Sequence, residues 1–276
     1  MPTLTKRSAR VRDARKLTRR QGRAKAGLFL VEGPQAGREA LIETTTHGHG
    51  LVADLFASPS AAARHADLIG AALEAGIPVH RAEEGALAAL SETVTPQGLV
   101  AVCRLVAVPL SAALGVSPSL VAILAEAQDP GNAGTVIRCA DAAGADAVVL
   151  AHGSVDPHSG KCVRGSAGSL FHVPICADAE LDTALTTVRE RAGLTVLAAD
   201  GTGHRDLDDA EAAGLLARPT AWLFGNEARG LPAATRDLAD EVVRVPIYGR
   251  AESLNLAAAA AVCLYASARA QRRAVR

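Results

Sequence analysis

Ser119–Gln128 reads SLVAILAEAQ, and Asp129–Ala145 continues it as DPGNAGTVIRCADAAGA. The first stretch is a continuous apolar run without polar alternation, the pattern of a strand buried on both faces of a parallel sheet. The second opens on the turn pair Pro130–Gly131, offers Asn132 as a helix cap, and then settles into helical periodicity. Strand, loop and helix in that order make the first half of a βαβ unit. Further strand candidates recur downstream with helical segments between them: DAVVLA (146–151), LTVLAAD (194–200), TAWLFG (220–225) and EVVRVPI (241–247). This alternation predicts a parallel α/β domain over 117–276.

Upstream, Leu28–Val31 reads as a strand and EGPQAGREALIE as a helix with Pro34 near its start, Gly33 marking the turn between them. LVADLFAS (51–58), a helix around Ala61–Ala75, IPVH (77–80) and GLVAVCRL (98–105) continue the alternation, which predicts a smaller α/β domain over 1–106. Between the two, VAVPLSAALGVSPS (106–119) reads as a linker interrupted by Pro109, Gly115 and Pro118.

Composition narrows the function classes. Aromatics are only 3% of 276 residues while the hydrophobic fraction is 49%, much of it alanine, so the cores are expected to be aliphatic with closely packed helices. No apolar run approaches the roughly 18–20 residues of a membrane span, and the N-terminus carries charge where a secretion signal has its apolar region. A cytoplasmic protein is expected. The five cysteines, Cys103, Cys139, Cys162, Cys176 and Cys263, lack the close pairs of zinc or redox sites and read as small buried hydrophobes. His47, His49, His152, His158, His172 and His204 show no metal spacing and read as loop or surface residues, so no metal is expected. The net charge is zero, yet Lys6, Arg7, Arg10, Arg12, Arg15, Lys16, Arg19, Arg20, Arg23 and Lys25 crowd the first segment against the single acid Asp13. A one-sign basic helix beside a globular body suits phosphates, and with few aromatics for stacking the contact would be to backbone and shape.

Three segments at predicted strand ends, where open α/β sheets build ligand sites, concentrate the polar chemistry. They are DPGNAGTVIRCADAAGA, with Arg138 about two turns into its helix; LFGNEARGL (223–231), with Glu227 between Gly225 and Gly230; and VPIYGRAESLNLAAAAAV (245–262), entering a small-residue helix through Ser253 and Asn255. Each alone is compatible with ordinary capping and packing. In this order and spacing they resemble the SpoU/TrmH family of the SPOUT methyltransferase superfamily. VEGPQAGREAL (31–41) and TPQGLVAVCRL (95–105) likewise resemble the family's N-terminal substrate-binding domain.

The resemblance implies a C-terminal trefoil knot, a homodimer with active sites near the subunit interface, and S-adenosylmethionine as cofactor. It places the cofactor against Leu223, Phe224, Gly225, Val245, Pro246, Ile247 and Leu254, and matches Asn132, Arg138, Glu227, Ser253 and Asn255 to the family's catalytic and structural positions. The chain lacks G-x-G-x-x-G, which counts against a Rossmann-type methyltransferase. Ala228 departs from the glycine common in the family, and Cys139 from its threonine. KCVRGSAGSLFHVPI (161–175) resembles a segment near bound RNA, so Lys161, Arg164 and Ser166 join Arg7, Arg10, Arg19 and Arg20 as RNA-binding candidates.

The implied activity is 2′-O-methylation of RNA, with ribosomal RNA favoured over tRNA because a separate N-terminal domain suits a large structured target. The serine-leucine-asparagine form of the third segment favours ribose over base. A non-catalytic RNA-binding protein on the same fold is the reading from another class. A guanidinium is a poor base, so Arg138 is expected to act electrostatically, with the hydroxyl proton passing to water or to Glu227.

Overall fold

A computed structural model describes residues 2–47 and 50–274 of the chain; His49 lies outside them. The chain divides into two compact units, Met1–Val106 with His158–Phe171, and Ala107–Pro157 with His172–Arg276.

The first unit is built on a four-stranded sheet of order β1-β4-β2-β3, formed by β1 (Leu28–Glu32), β2 (Val52–Ala57), β3 (Val79–Arg81) and β4 (Leu99–Arg104). β4 runs antiparallel to both β1 and β2, and only β2 and β3 are parallel. The expected Ala61–Ala75 helix is two helices, Pro59–Arg64 and Ala66–Glu74, broken at His65. The basic segment also differs from a free helical arm. It folds into two short helices, Ala9–Arg15 and Arg20–Ala26, joined by a 3-10 turn, Lys16–Thr18; Val11 and Ala14 of the first helix and Leu17 of the turn are buried in the core with Leu30, Phe56, Leu87 and Val100. Arg23 is itself buried and donates from Nη1 to the carbonyls of Leu17 and Thr18, so its charge holds the turn between the helices.

The second unit carries a seven-stranded sheet of order β7-β6-β5-β10-β8-β11-β9. Its strands are β5 (Leu120–Leu124), β6 (Ala147–Ala151), β7 (Ile175–Ala179), β8 (Thr195–Ala199), β9 (Arg205–Asp206), β10 (Thr220–Phe224) and β11 (Glu241–Arg244). Every pairing is parallel. Alternation along the strands sorts side chains to two faces. Val121, Ile123, Ala221 and Leu223 pack with the helices Leu110–Leu114 and Leu181–Glu190. On the opposite face the helix Leu256–Ala274 crosses β5 and β10 and packs on the helix Pro130–Ala143. There Trp222, fully buried, donates from Nε1 to Ser267 Oγ at 2.9 Å, satisfying its one polar atom.

Two boundaries move from their expected places. Residues 107–116 belong to the second unit, because Ala113 and Leu114 of the helix Leu110–Leu114 are buried in its core. His158–Phe171 leaves the second unit's stretch of chain and joins the first. It does so through His158, which is buried instead of lying on the surface: its ring meets Phe29 edge-on at 4.8 Å and its Nε2 accepts from the Val106 amide at 3.1 Å. No described helix is long and apolar enough to cross a membrane.

Candidate active site

The Pro130–Ala143 helix starts where Asp129, in place of Asn132, caps it; the Asp129 carboxylate accepts from the amides of Gly131 at 2.6 Å and Asn132 at 3.0 Å. Pro130 presets the first turn, and Gly144, at φ +74°, closes the helix in the left-handed region. Because Asp129 does the capping, the Asn132 side chain is released for longer-range work. It donates from Nδ2 to Glu227 Oε1 at 3.3 Å and accepts at Oδ1 from Asn255 Nδ2 at 3.0 Å. Asn255 Oδ1 in turn caps the C-terminal helix through the amides of Ala257 and Ala258. One chain of side-chain hydrogen bonds therefore joins the loops after β5, β10 and β11, although the residues lie 95 and 123 positions apart.

Glu227 is the centre of this arrangement. Its Oε2 accepts from the Gln128 amide and its Oε1 from the Asp129 amide, both at 3.0 Å. Partial burial pulls its pKa upward, but the amide and Asn132 donors outweigh that and hold the carboxyl below the ordinary glutamate range. Glu227 is ionised, as a proton acceptor must be, but its lowered proton affinity and the hydrogen bonds that engage both oxygens make it a weak one. It is a clamp on the β5 loop.

The β10 loop is shaped by its own backbone. Asn226 and Gly230 exchange two main-chain hydrogen bonds, of 3.0 and 2.8 Å, while Asn226 Oδ1 accepts from the amides of Ala228 and Arg229. Its Nδ2 donates across to the Glu126 carbonyl at 2.9 Å. A Cβ on Gly225 would meet the carbonyl carbon of Gly230 at 2.4 Å, so this glycine is required by the closed loop before any ligand is considered.

These loops surround a cleft of about 260 Å³ at the carboxyl ends of β8, β10 and β11. Phe224, Ile247, Leu254 and Leu256 give it an apolar wall, Gly225 and Gly230 expose backbone, and Asp200, Glu227 and Glu252 supply acid. An apolar slot edged by carboxylates suits a purine linked to a cation.

The comparisons with known proteins agree with this geometry. Residues 119–265 match the model of the SpoU rRNA Methylase family, and residues 8–101 match the MRM3-like substrate binding domain. The chain belongs to the SpoU rRNA methylase family. The 23S rRNA (guanosine(2553)-2′-O)-methyltransferase RlmP of Bacillus subtilis is 35% identical over 93% of this chain and 94% of its own. The 23S rRNA (guanosine-2′-O-)-methyltransferase RlmB of Bordetella pertussis is 30% identical over 85% of this chain and 96% of its own. Among solved structures, the SpoU methyltransferase AviRb from Streptomyces viridochromogenes in complex with AdoMet superposes with a TM-score of 0.81 at 30% identity, covering 98% of this chain and all of that one. An AdoMet-bound rRNA methyltransferase from Sinorhizobium meliloti gives 0.80 at 29% identity over 95% of each chain.

Within this SpoU architecture the expected site residues distribute unevenly. Phe224, Gly225, Val245, Ile247, Leu254, Glu227 and Ser253 line the cleft. Pro246 sits between two lining residues without joining them. Leu223 has its side chain fully buried in the core, so what it offers the cleft is its backbone, as expected for an adenine held by main-chain groups. Arg138 lies six residues past Asn132, hence about 120° around the helix from it, so Asn132 does not aim it into the cleft. It is exposed, outside the cleft wall, and has no carboxylate partner among the described residues.

The RNA candidates also divide. Arg7, Arg10, Arg19, Arg20 and Lys161 are exposed, Arg10 pairing with Asp54 at 3.0 Å. Arg164 is tied to Glu32 at 3.3 Å and Glu92 at 3.9 Å. Ser166 is fully buried and donates to the Val163 carbonyl, which removes it from any RNA contact.

Sequence reading passed over Asp200, Asn226, Glu252, Leu256 and Ala259. Asp200 had a usable signal, since it ends the strand-like LTVLAAD and strand ends carry ligand sites. The others lie inside the segments 223–231 and 245–262 already singled out, but which of their side chains face the cleft depends on which loops the sheet order brings together. Among the described residues no group of three or more His, Cys, Asp or Glu is placed to hold a metal ion.

Proposed function

We propose that this protein is an S-adenosylmethionine-dependent RNA methyltransferase that acts on a ribose 2′-hydroxyl of 23S ribosomal RNA. The observation that carries this reading is the Asn255–Asn132–Glu227 chain, which fixes three strand-end loops around one acid-edged apolar cleft. Membership of the SpoU family and the printed activities of RlmP and RlmB support the choice of ribosomal RNA.

In this reading the backbone of Leu223–Gly225 and Val245–Ile247, with Leu254, holds the adenine. When bound, the cofactor supplies a methyl group already activated by a sulfonium charge. Asn132, Glu227 and Asn255 keep the loops in place, so that alignment of acceptor and donor provides most of the acceleration. Arg138, exposed outside the cleft of its own chain, would reach the reacting ribose across the inferred homodimer, holding an RNA phosphate and stabilising the developing alkoxide while the oxygen–methyl bond forms, the sulfur–methyl bond breaks to leave the thioether, and the hydroxyl proton leaves to water. The exposed arginines of the first unit, Arg7, Arg10, Arg19 and Arg20, with Lys161, hold the RNA backbone.

We further infer a cytoplasmic homodimer with a knotted C-terminal chain. Val262 and Tyr265 on the C-terminal helix and Tyr248 in the preceding loop are exposed apolar groups that a second copy would cover. Sedimentation velocity at micromolar concentration checks this, with a single monomeric species as the contrary result.

Mapping 2′-O-methyl positions across total RNA, with and without the protein, tests the substrate. One position in 23S rRNA should depend on the protein. A protein-dependent tRNA position would redirect the assignment, and unchanged ribose methylation would leave only base methylation or non-catalytic binding.

A further inference from the structure

The cleft has one charged wall that the three family segments do not supply. β8 ends at Ala199, which pairs with Phe224 of β10, and the next residue, Asp200, lines the cleft with its side chain only 11% exposed. Its two oxygens are used unequally. Oδ1 accepts from the Thr202 amide at 2.9 Å, from Thr202 Oγ1 at 2.6 Å and from Arg236 Nη1 at 3.2 Å. Oδ2 has no hydrogen-bond partner among the described residues. It lies toward Gly230, where an added Cβ would stand 3.4 Å from it, and Gly230 lines the same cleft. Thr202 and Arg236 thus fix the carboxylate by one oxygen and leave the other at the cleft wall. Burial raises the pKa of this group, but the Thr202 and Arg236 hydrogen bonds prevail and keep it ionised.

An ionised carboxylate only accepts hydrogen bonds, so its ligand must bring a donor. S-adenosylmethionine carries donors at two ends, the ribose diol and the α-ammonium. Position separates them. Asp200 directly flanks the wall of Phe224, Ile247 and Leu256 that suits adenine, and the ribose is one glycosidic bond from the base, whereas the ammonium sits at the far end of a flexible chain. An acid at a neighbouring strand end that takes a ribose hydroxyl is also the solution reached in dinucleotide-binding sheets of different topology. We propose that Asp200 Oδ2 accepts a hydrogen bond from a ribose hydroxyl of the cofactor, making Asp200 a specificity-determining residue for the nucleoside sugar. The assignment rests on the reading of the cleft as the cofactor site.

Calorimetry on the full chain with S-adenosylhomocysteine and its 2′,3′-dideoxy analogue tests it. The wild type should bind the analogue about 10- to 100-fold more weakly, the scale of a hydrogen bond to a charged group. In Asp200→Asn, which keeps the side chain's shape, binding of S-adenosylhomocysteine should weaken and the gap between the two ligands should shrink to about threefold or less. A purely structural Asp200 would weaken both ligands equally and preserve the gap, overturning the assignment. Equal affinity of the wild type for both ligands would overturn it without any variant. Failure of the cleft reading has a separate signature: Ala259→Trp, which fills the cleft from the C-terminal helix, would then leave the affinity for S-adenosylhomocysteine unchanged.

Discussion

At the residue scale, Glu227 shows how a side chain can be recognised by position and still be misjudged in role. Its place between two glycines was legible, but its partners, the amides of Gln128 and Asp129, lie about a hundred residues away and no local pattern announces them. The downward pKa shift has a testable sign. A carboxyl held below its unfolded value contributes stability that is present above that value and is lost as pH falls through the folded one. The wild type should therefore lose stability on acidification below about pH 4.5, and Glu227→Gln should lose less over the same interval while being less stable at neutral pH. Denaturant unfolding across pH reads both effects. Arg138 poses the opposite case, an exposed cation with no carboxylate partner among the described residues. Arg138→Ala should leave folding and cofactor affinity intact and lower single-turnover methyl transfer by roughly two orders of magnitude. Arg138→Lys should remain impaired, since lysine lacks the planar fork; a rate near that of the wild type for the alanine variant would remove Arg138 from the mechanism.

At the element scale, the apolar runs of β5, β6, β8 and β10 announced themselves, because strands buried on both faces leave little room for polar residues. β7 did not, since Ala177, Asp178 and Ala179 are only partly covered or exposed at the sheet edge, and the two-residue β9 is too short to leave a pattern. Glycines mark loop closure more reliably than they mark ligands. Gly225→Ala should cost about 1–3 kcal/mol and abolish cofactor binding, because the added carbon meets the Gly230 backbone; unaltered stability would contradict the closed loop. Ala167 ends the helix Gly160–Ser166 in the left-handed region at φ +51°. Ala167→Gly should stabilise the protein by about 1 kcal/mol, read as a shift in denaturation midpoint.

At the scale of the whole molecule, the two-unit organisation was readable but its seams were not. A boundary near residue 117 follows from Pro109, Gly115 and Pro118, yet two buried side chains of Leu110–Leu114 outweigh that local irregularity, and the return of His158–Phe171 to the first unit depends on tertiary packing alone. The basic segment illustrates the same limit. Charge pattern singled it out as a candidate for phosphate contact but did not show the Val11, Ala14 and Leu17 side chains that make it part of a core. Deleting it would therefore unfold the first unit, and substitution is the cleaner test. Replacing Arg7, Arg19 and Arg20 with glutamine should reduce the log–log salt slope of RNA binding by roughly one per lost phosphate contact, with cofactor affinity unchanged. The activity assigned to the cleft is the transfer of a methyl group to a ribose oxygen. Labelled methyl transfer from S-adenosylmethionine to unmodified 23S rRNA, followed by digestion to nucleosides, tests this most directly. Label recovered in a 2′-O-methyl nucleoside, and lost in Ala259→Trp, is the predicted result; label in a methylated base, or none in RNA, would contradict it.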